Sequence, residues 1–155
     1  MAPQFFEFEA DFVATLRCIP MGVRFKLDLC GIKLSLRAWS VFDAATRACL
    51  VSLPVDTAGE LVTYRGFLSQ AIEGVGEPVV AVAIEPEPAW MDEDRIPDAL
   101  VHKALELDVD PGGLTRWRQL GTLQRFALTK LTRGGHENDN LLPALREFGL
   151  AGRKA

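Results

Sequence analysis

Apolar residues recur along this chain at three- and four-residue steps, in runs closed by glycine or proline, a period that fits short amphipathic helices rather than strands. Ile19, Val23, Leu27 and Cys30 share one helical face, with Gly31 placed to end the helix. Phe42, Ala45, Cys49 and Leu53 repeat the spacing and Pro54 closes it. The clearest start signal is Thr57 with Glu60 three residues later. In such a capping box each side chain satisfies a backbone N–H that the first helical turn leaves orphaned. Leu61, Tyr64, Leu68, Ala71 and Ile72 form the stripe that follows, and Gly74 and Gly76 end it.

The second half repeats the pattern. Pro97 suits the first turn of a helix over 96–107, with Leu100, Ala104 and Leu107 inward. Beyond the break at 110–113, Leu114, Trp117 and Leu120 begin a short helix. Gly121 interrupts it, Thr122 can cap the next, and Leu123, Phe126, Ala127, Leu128 and Leu131 carry the apolar face onward. Gly134 and Gly135 stop that helix. Asn138, Asp139 or Asn140 then caps a last one holding Leu142, Leu145 and Phe148, with Pro143 tolerated in its first turn. Residues 76–95 differ: Pro78, Pro86 and Pro88 frame a short apolar run, 79–84, with no helical period and no evident strand to pair with. The expectation is an all-α, compact single-domain bundle of about seven short helices over residues 1–150, with one extended Pro-rich crossing segment packed on the helices and a flexible tail at 151–155.

Charge narrows the partners. The 17 basic and 21 acidic residues leave a formal net charge of -4, the wrong sign for general affinity to nucleic acid or anionic membrane. The distribution is uneven. Residues 76–113 hold ten acidic side chains against Arg95 and Lys103, whereas eight basic residues face Glu137, Asp139 and Glu147 from Leu114 onward. Complementary stripes within the fold, or a docking surface for a charged partner, both account for this. The start MAPQFFEFEADF lacks the basic and apolar runs of a secretion signal, no apolar stretch approaches the roughly 20 residues of a membrane span, and an odd set of three cysteines suits a reducing compartment. A cytoplasmic protein is expected.

Enzyme signatures are missing: no GxGxxG, phosphate loop, GxSxG, HExxH or CxxC occurs. No catalytic residue and no cofactor is assigned. The string Arg133-Gly134-Gly135-His136-Glu137-Asn138-Asp139-Asn140 sets five polar side chains after a glycine pair. His136 and Glu137 can bind a metal or a polar partner group, and the same residues suit a helix connection with its cap. Cys18, Cys30 and His136 together offer an alternative reading, a metal- or redox-responsive sensor. On one unbroken helix, however, Cys18 and Cys30 lie about 18 Å apart, beyond disulfide reach. Trp90, beside Pro86 and Pro88 in the acidic stretch, is the aromatic expected to serve as an exposed anchor.

Several strings together resemble the conserved nitrate reductase-associated proteins. Phe8-Glu9-Ala10-Asp11-Phe12, Leu16-Arg17-Cys18-Ile19-Pro20-Met21, Lys26-Leu27-Asp28 and Cys30-Gly31 look like that family's opening. Tyr64-Arg65, Pro88-Ala89-Trp90 and Ile96-Pro97 match further along. The most specific block runs from Leu123 to Leu131, with Gly135-His136-Glu137-Asn138 and Leu142-Pro143-Ala144-Leu145 after it. Val55 follows Pro54 where the family pattern has a cysteine, so a role for that cysteine does not apply. The resemblance implies a non-catalytic accessory protein that binds assimilatory nitrate reductase, or a molybdenum-cofactor assembly protein, and supports maturation or cofactor insertion. It assigns no catalytic residues. The expected partner-binding residues are Trp90, Arg125, His136, Glu137 and Asn138, forming or bordering one exposed surface.

Overall fold

The computed structural model describes residues 5–10, 16, 18–110, 113–133 and 140–150. It is mostly helical, as the periodicity predicts: among the described residues there are eight α-helices, two 3-10 turns and a pair of two-residue strands. The chain forms two compact units, Met1–Phe5 with Glu9–Glu85 and Phe6–Phe8 with Pro86–Ala155.

In the first unit, α1 (Met21–Cys30) starts after Pro20 and ends at Gly31, whose φ of 69° is the left-handed cap that favours glycine. Cys18 therefore lies outside the helix that carries Cys30. Pro20 has no side chain to cap with. The buried carboxylate of Glu9 instead reaches across twelve residues and accepts the Met21 N–H at 2.8 Å, favourable at the positive end of a helix. Helix α2 (Leu36–Val41) precedes the apolar stripe expected from Phe42 to Leu53, and α3 (Ala44–Ser52) stands within it. Ser35 caps the first and Asp43 the second, each accepting a backbone N–H three residues on. The break re-phases the buried face: Leu50 is fully buried while Ala45 is exposed and Cys49 only half-buried.

Helix α4 (Ala58–Gly74) has the predicted Thr57–Glu60 capping box and buries Tyr64, Leu68 and Ile72. Packed together, α1, α3 and α4 enclose a core of Val23, Leu27, Trp39, Leu50, Tyr64 and Leu68. Two side chains tie the end of α3 into it. Tyr64 Oη donates to Leu50 O at 2.8 Å, and Lys26 Nζ donates to Val51 O and Leu53 O at 2.7 and 2.6 Å. These carbonyls are among those a helix C-terminus leaves without partners.

The apolar run at 79–84 is not the unpaired segment expected. Its β2 (Val80–Ala81) pairs antiparallel with β1 (Ile32–Lys33), Ile32 opposite Ala81 and Lys33 opposite Val80. Its partner follows directly after the α1 cap, too short to register as a strand in sequence. Val79 packs against the core of the first unit, as a segment crossing the helices would, while Val80, Val82 and Ile84 are all exposed.

In the second unit a 3-10 turn, Ala89–Met91, is followed by α5 (Asp98–Glu106), α6 (Leu114–Gln119), α7 (Thr122–Leu131) and α8 (Leu141–Glu147). Helix α7 packs on the Ala89–Met91 turn, α5 and α8, burying Phe126, Leu128 and Leu131 with Leu100, Ala104, Leu141 and Leu145. Three readings are corrected. Leu107 is exposed because α5 ends before it. Gly121, not Thr122, is the cap of α7, its N–H donating to Gln124 Oε1 at 2.8 Å. In α8 the buried positions are Leu141, Ala144 and Leu145, with Leu142 and Phe148 half-buried. The tail at 151–155 lies outside the described residues.

Candidate functional site

Trp90 and Arg125 sit together in the second unit, but not as exposed contacts. Trp90 is 6% exposed, which corrects the expectation of an exposed anchor, and Arg125, expected to form or border the surface, is 5% exposed. The Trp90 indole meets the Phe126 ring edge-on at 5.8 Å, a favoured aromatic geometry. Arg125, one position earlier on α7, turns its guanidinium to the main chain: Nε donates to Trp90 O at 2.9 Å and Nη1 to Leu120 O. Nη2 lies 3.4 Å from the largely exposed carboxylate of Glu93. A buried guanidinium is costly unless its nitrogens find partners, and here each does: Nε and Nη1 a carbonyl, Nη2 a carboxylate at ion-pair distance.

Side chains of α6 hold the same loop as well. Trp117 on α6, itself buried, donates its indole N–H to Asp92 O at 2.7 Å. Arg118 donates to Glu93 O at 3.3 Å and pairs with Asp94 Oδ1 at 2.8 Å. Within the loop, the Asp94 N–H donates to Asp92 Oδ1 at 2.9 Å. Three carbonyls within four residues, those of Trp90, Asp92 and Glu93, are thus fixed by side chains from α6 and α7. What faces outward is Met91, Asp92, Glu93 and Asp94, all exposed. The arrangement presents three carboxylates and one thioether on a braced backbone. It suits electrostatic recognition of a basic surface and contains no nucleophile–base pair.

Sequence reasoning reached Trp90 and Arg125 but missed Trp117, Arg118 and Glu93. Their tie is made through main-chain oxygens, which carry no residue-type signature. His136, Glu137 and Asn138 lie outside the described residues.

Elsewhere the first unit has a cleft of about 210 Å³ lined by Lys33, Ser35, Ala38, Ile72, Glu77, Pro78 and Val80, below the usual range for small-molecule sites. Two of its polar groups, Ser35 and Glu77, bind each other. Arg37 Nη1 and Ser35 Oγ donate to the two Glu77 oxygens at 2.6 and 2.8 Å, and Arg37 followed by Ser35 holds the Glu77 carboxyl below its ordinary value. Of the sensor residues, His136 lies outside the described residues; among the described residues no three His, Cys, Asp or Glu side chains gather as metal ligands. Cys30 is buried, its Sγ directed at Leu27 O, and burial pushes its thiol pKa up, away from thiolate chemistry. Among the described residues no helix is long and apolar enough to cross a membrane.

No curated protein and no solved structure matches the chain. A family model does, and over nearly its whole length. Residues 5–148 match the conserved nitrate reductase-associated proteins, covering both the α1 opening block and the α7 block that carries Arg125, and the chain belongs to that family.

Proposed function

We propose that the chain is a non-catalytic accessory protein of assimilatory nitrate reductase, acting in maturation or cofactor insertion. In this reading it binds the reductase, or a molybdenum-cofactor assembly protein, through the acidic loop Asp92, Glu93 and Asp94. Buried Trp90 and Arg125 set the shape of that surface, and His136, Glu137 and Asn138 are assigned to the same contact. Family membership supplies the association with nitrate reductase. The observation that carries the contact is the brace: Arg125, Trp117 and Arg118 hold an exposed acidic segment in one conformation. A surface ordered before binding loses less conformational entropy on association.

The test combines purified protein with deletion. Nitrate reductase should bind the wild-type chain measurably by calorimetry, more weakly as salt rises. Neutralising the loop with Asp92→Asn, Glu93→Gln and Asp94→Asn should weaken binding by about tenfold, roughly 1.4 kcal/mol, with little change in melting temperature. Unaltered nitrate reductase activity in a deletion strain, with no binding to the enzyme or its assembly proteins, would end this reading.

A further inference from the structure

We propose that the outer edge of β2 is a strand-addition site for an extended peptide with an alternating apolar core preceded by lysine or arginine. This is independent of the acidic-loop contact above and involves only the first unit. The register decides which backbone groups are available. Lys33 pairs with Val80, and the Val82 N–H donates to Gly31 O at 2.9 Å, so Val80 and Val82 direct their main-chain groups toward β1. Successive residues of a strand alternate in that direction, so Ala81 turns its N–H and C=O groups to the opposite side, and the same alternation carried past the end of β2 assigns that direction to Ala83. Both are exposed.

Three further observations fit a docking edge. Gly31 has no Cβ, and one built there would lie 2.8 Å from Ile84 Cγ1 and 3.0 Å from Val82 O, so the strand is seated closely along the α1 cap as far as Ile84. Val80, Val82 and Ile84, 47%, 42% and 52% exposed, fall on one face at two-residue spacing and offer an apolar surface to alternate side chains of an added strand. No lysine, proline or bulge blocks residues 79–84, although natural edges are commonly guarded by such features.

Charge selects the occupant. Residues 73–85 carry Glu73, Glu77 and Glu85 and no cation. Glu77 is engaged by Arg37 and Ser35, while exposed Glu85 stands at the exit of the strand. An antiparallel peptide brings its N-terminal residues beside Glu85, which places the basic residues before the apolar core. A second copy of this chain fits less well: with Ala81 paired to its own equivalent, Glu85 falls opposite Glu77 of the second copy, and like charges across a ladder are unfavourable.

The probe is a dye-labelled synthetic peptide of two arginines followed by alternating valine and threonine, titrated into the full-length chain and read by fluorescence anisotropy. Saturable binding is expected. Ala83→Pro removes an outward N–H while leaving the β1-facing groups in place, and Val82→Lys puts a charge on the apolar face; each should weaken binding by about tenfold. Replacing the arginines with glutamates should do the same. On peptide addition, amide exchange should slow at Ala81 and Ala83. No saturable binding, or equal affinity in both variants, overturns the proposal. So does sedimentation showing a dimer that Val82→Lys dissociates, which would make a second copy the occupant.

Discussion

Arg125→Met tests whether the loop at residues 90–94 is braced from beneath. The substitution keeps most of the apolar stem and removes the donors that reach Trp90 O and Leu120 O. A buried carbonyl stripped of its partner costs about 1–3 kcal/mol. Two of them, less the desolvation no longer needed for the guanidinium, give a loss of about 2–4 kcal/mol. The Glu93 contact adds little, since that carboxylate is 59% exposed and the separation is 3.4 Å. In urea, with a slope of about 2 kcal/mol per M, the middle of the range for small proteins, the midpoint should fall by about 1–2 M. Tryptophan fluorescence is the readout, because Trp90 and Trp117 both lie at the loop. Arg125→Lys, which keeps the charge but not the planar fork, should recover only part of the loss. A midpoint unchanged in Arg125→Met, together with weakened partner binding, would refute the reasoning: Arg125 would then act at the surface and not as a brace.

Gly31→Ala should destabilise by about 1–2 kcal/mol from the left-handed backbone alone, and more from the 2.8 Å approach of Ile84; an unchanged melting temperature would contradict the cap. Thr57→Ala should lower stability by about 1 kcal/mol through loss of the α4 capping box, checked by denaturant melts. Tyr64, the single tyrosine, is held neutral because burial raises its pKa. A raised folded pKa gives stability that is complete below the unfolded value of about 10 and declines as pH climbs past it. Tyrosinate absorbance should therefore appear only with unfolding, and early, reversible ionisation of the folded chain would disprove the burial. Native thiol titration should label half-buried Cys18 and Cys49 quickly and Cys30 only at the unfolding rate; prompt labelling of all three would show an open core.

The helices were legible where their signals are local. Thr57, Glu60 and Gly31 act on backbone groups within four residues, so spacing alone locates them. The misread elements depend on distant partners. Nothing in the spacing around Pro20 indicates that Glu9 caps α1. The stripe through Phe42, Ala45 and Cys49 is periodic in sequence, yet Asp43 takes the Thr46 N–H at 2.7 Å and restarts the helix in a new phase. The short run at 79–84 found a partner only because Gly31 reverses the chain and sets Ile32 and Lys33 beside it. Two-residue strands leave no alternation to detect.

The candidate site shows a different kind of illegibility. Trp90 between prolines and acids looks exposed because its sequence neighbours are, and Met91, Asp92 and Glu93 are indeed exposed. A 3-10 turn, however, points adjacent residues in different directions, so exposure of the neighbours says little about Trp90 itself. Its burial is decided by Phe126, thirty-six positions away, and its carbonyl is held by Arg125. A guanidinium satisfied by main-chain oxygens needs no acidic residue at any fixed spacing, so the pairing has no pattern to read. The same fact separates two roles that sequence merges. Residues that fix the loop should change stability when substituted, and residues displayed by it should change recognition. Arg125 belongs to the first set and Asp92 and Glu93 to the second, so their substitutions should diverge in a denaturant melt even where both weaken partner binding.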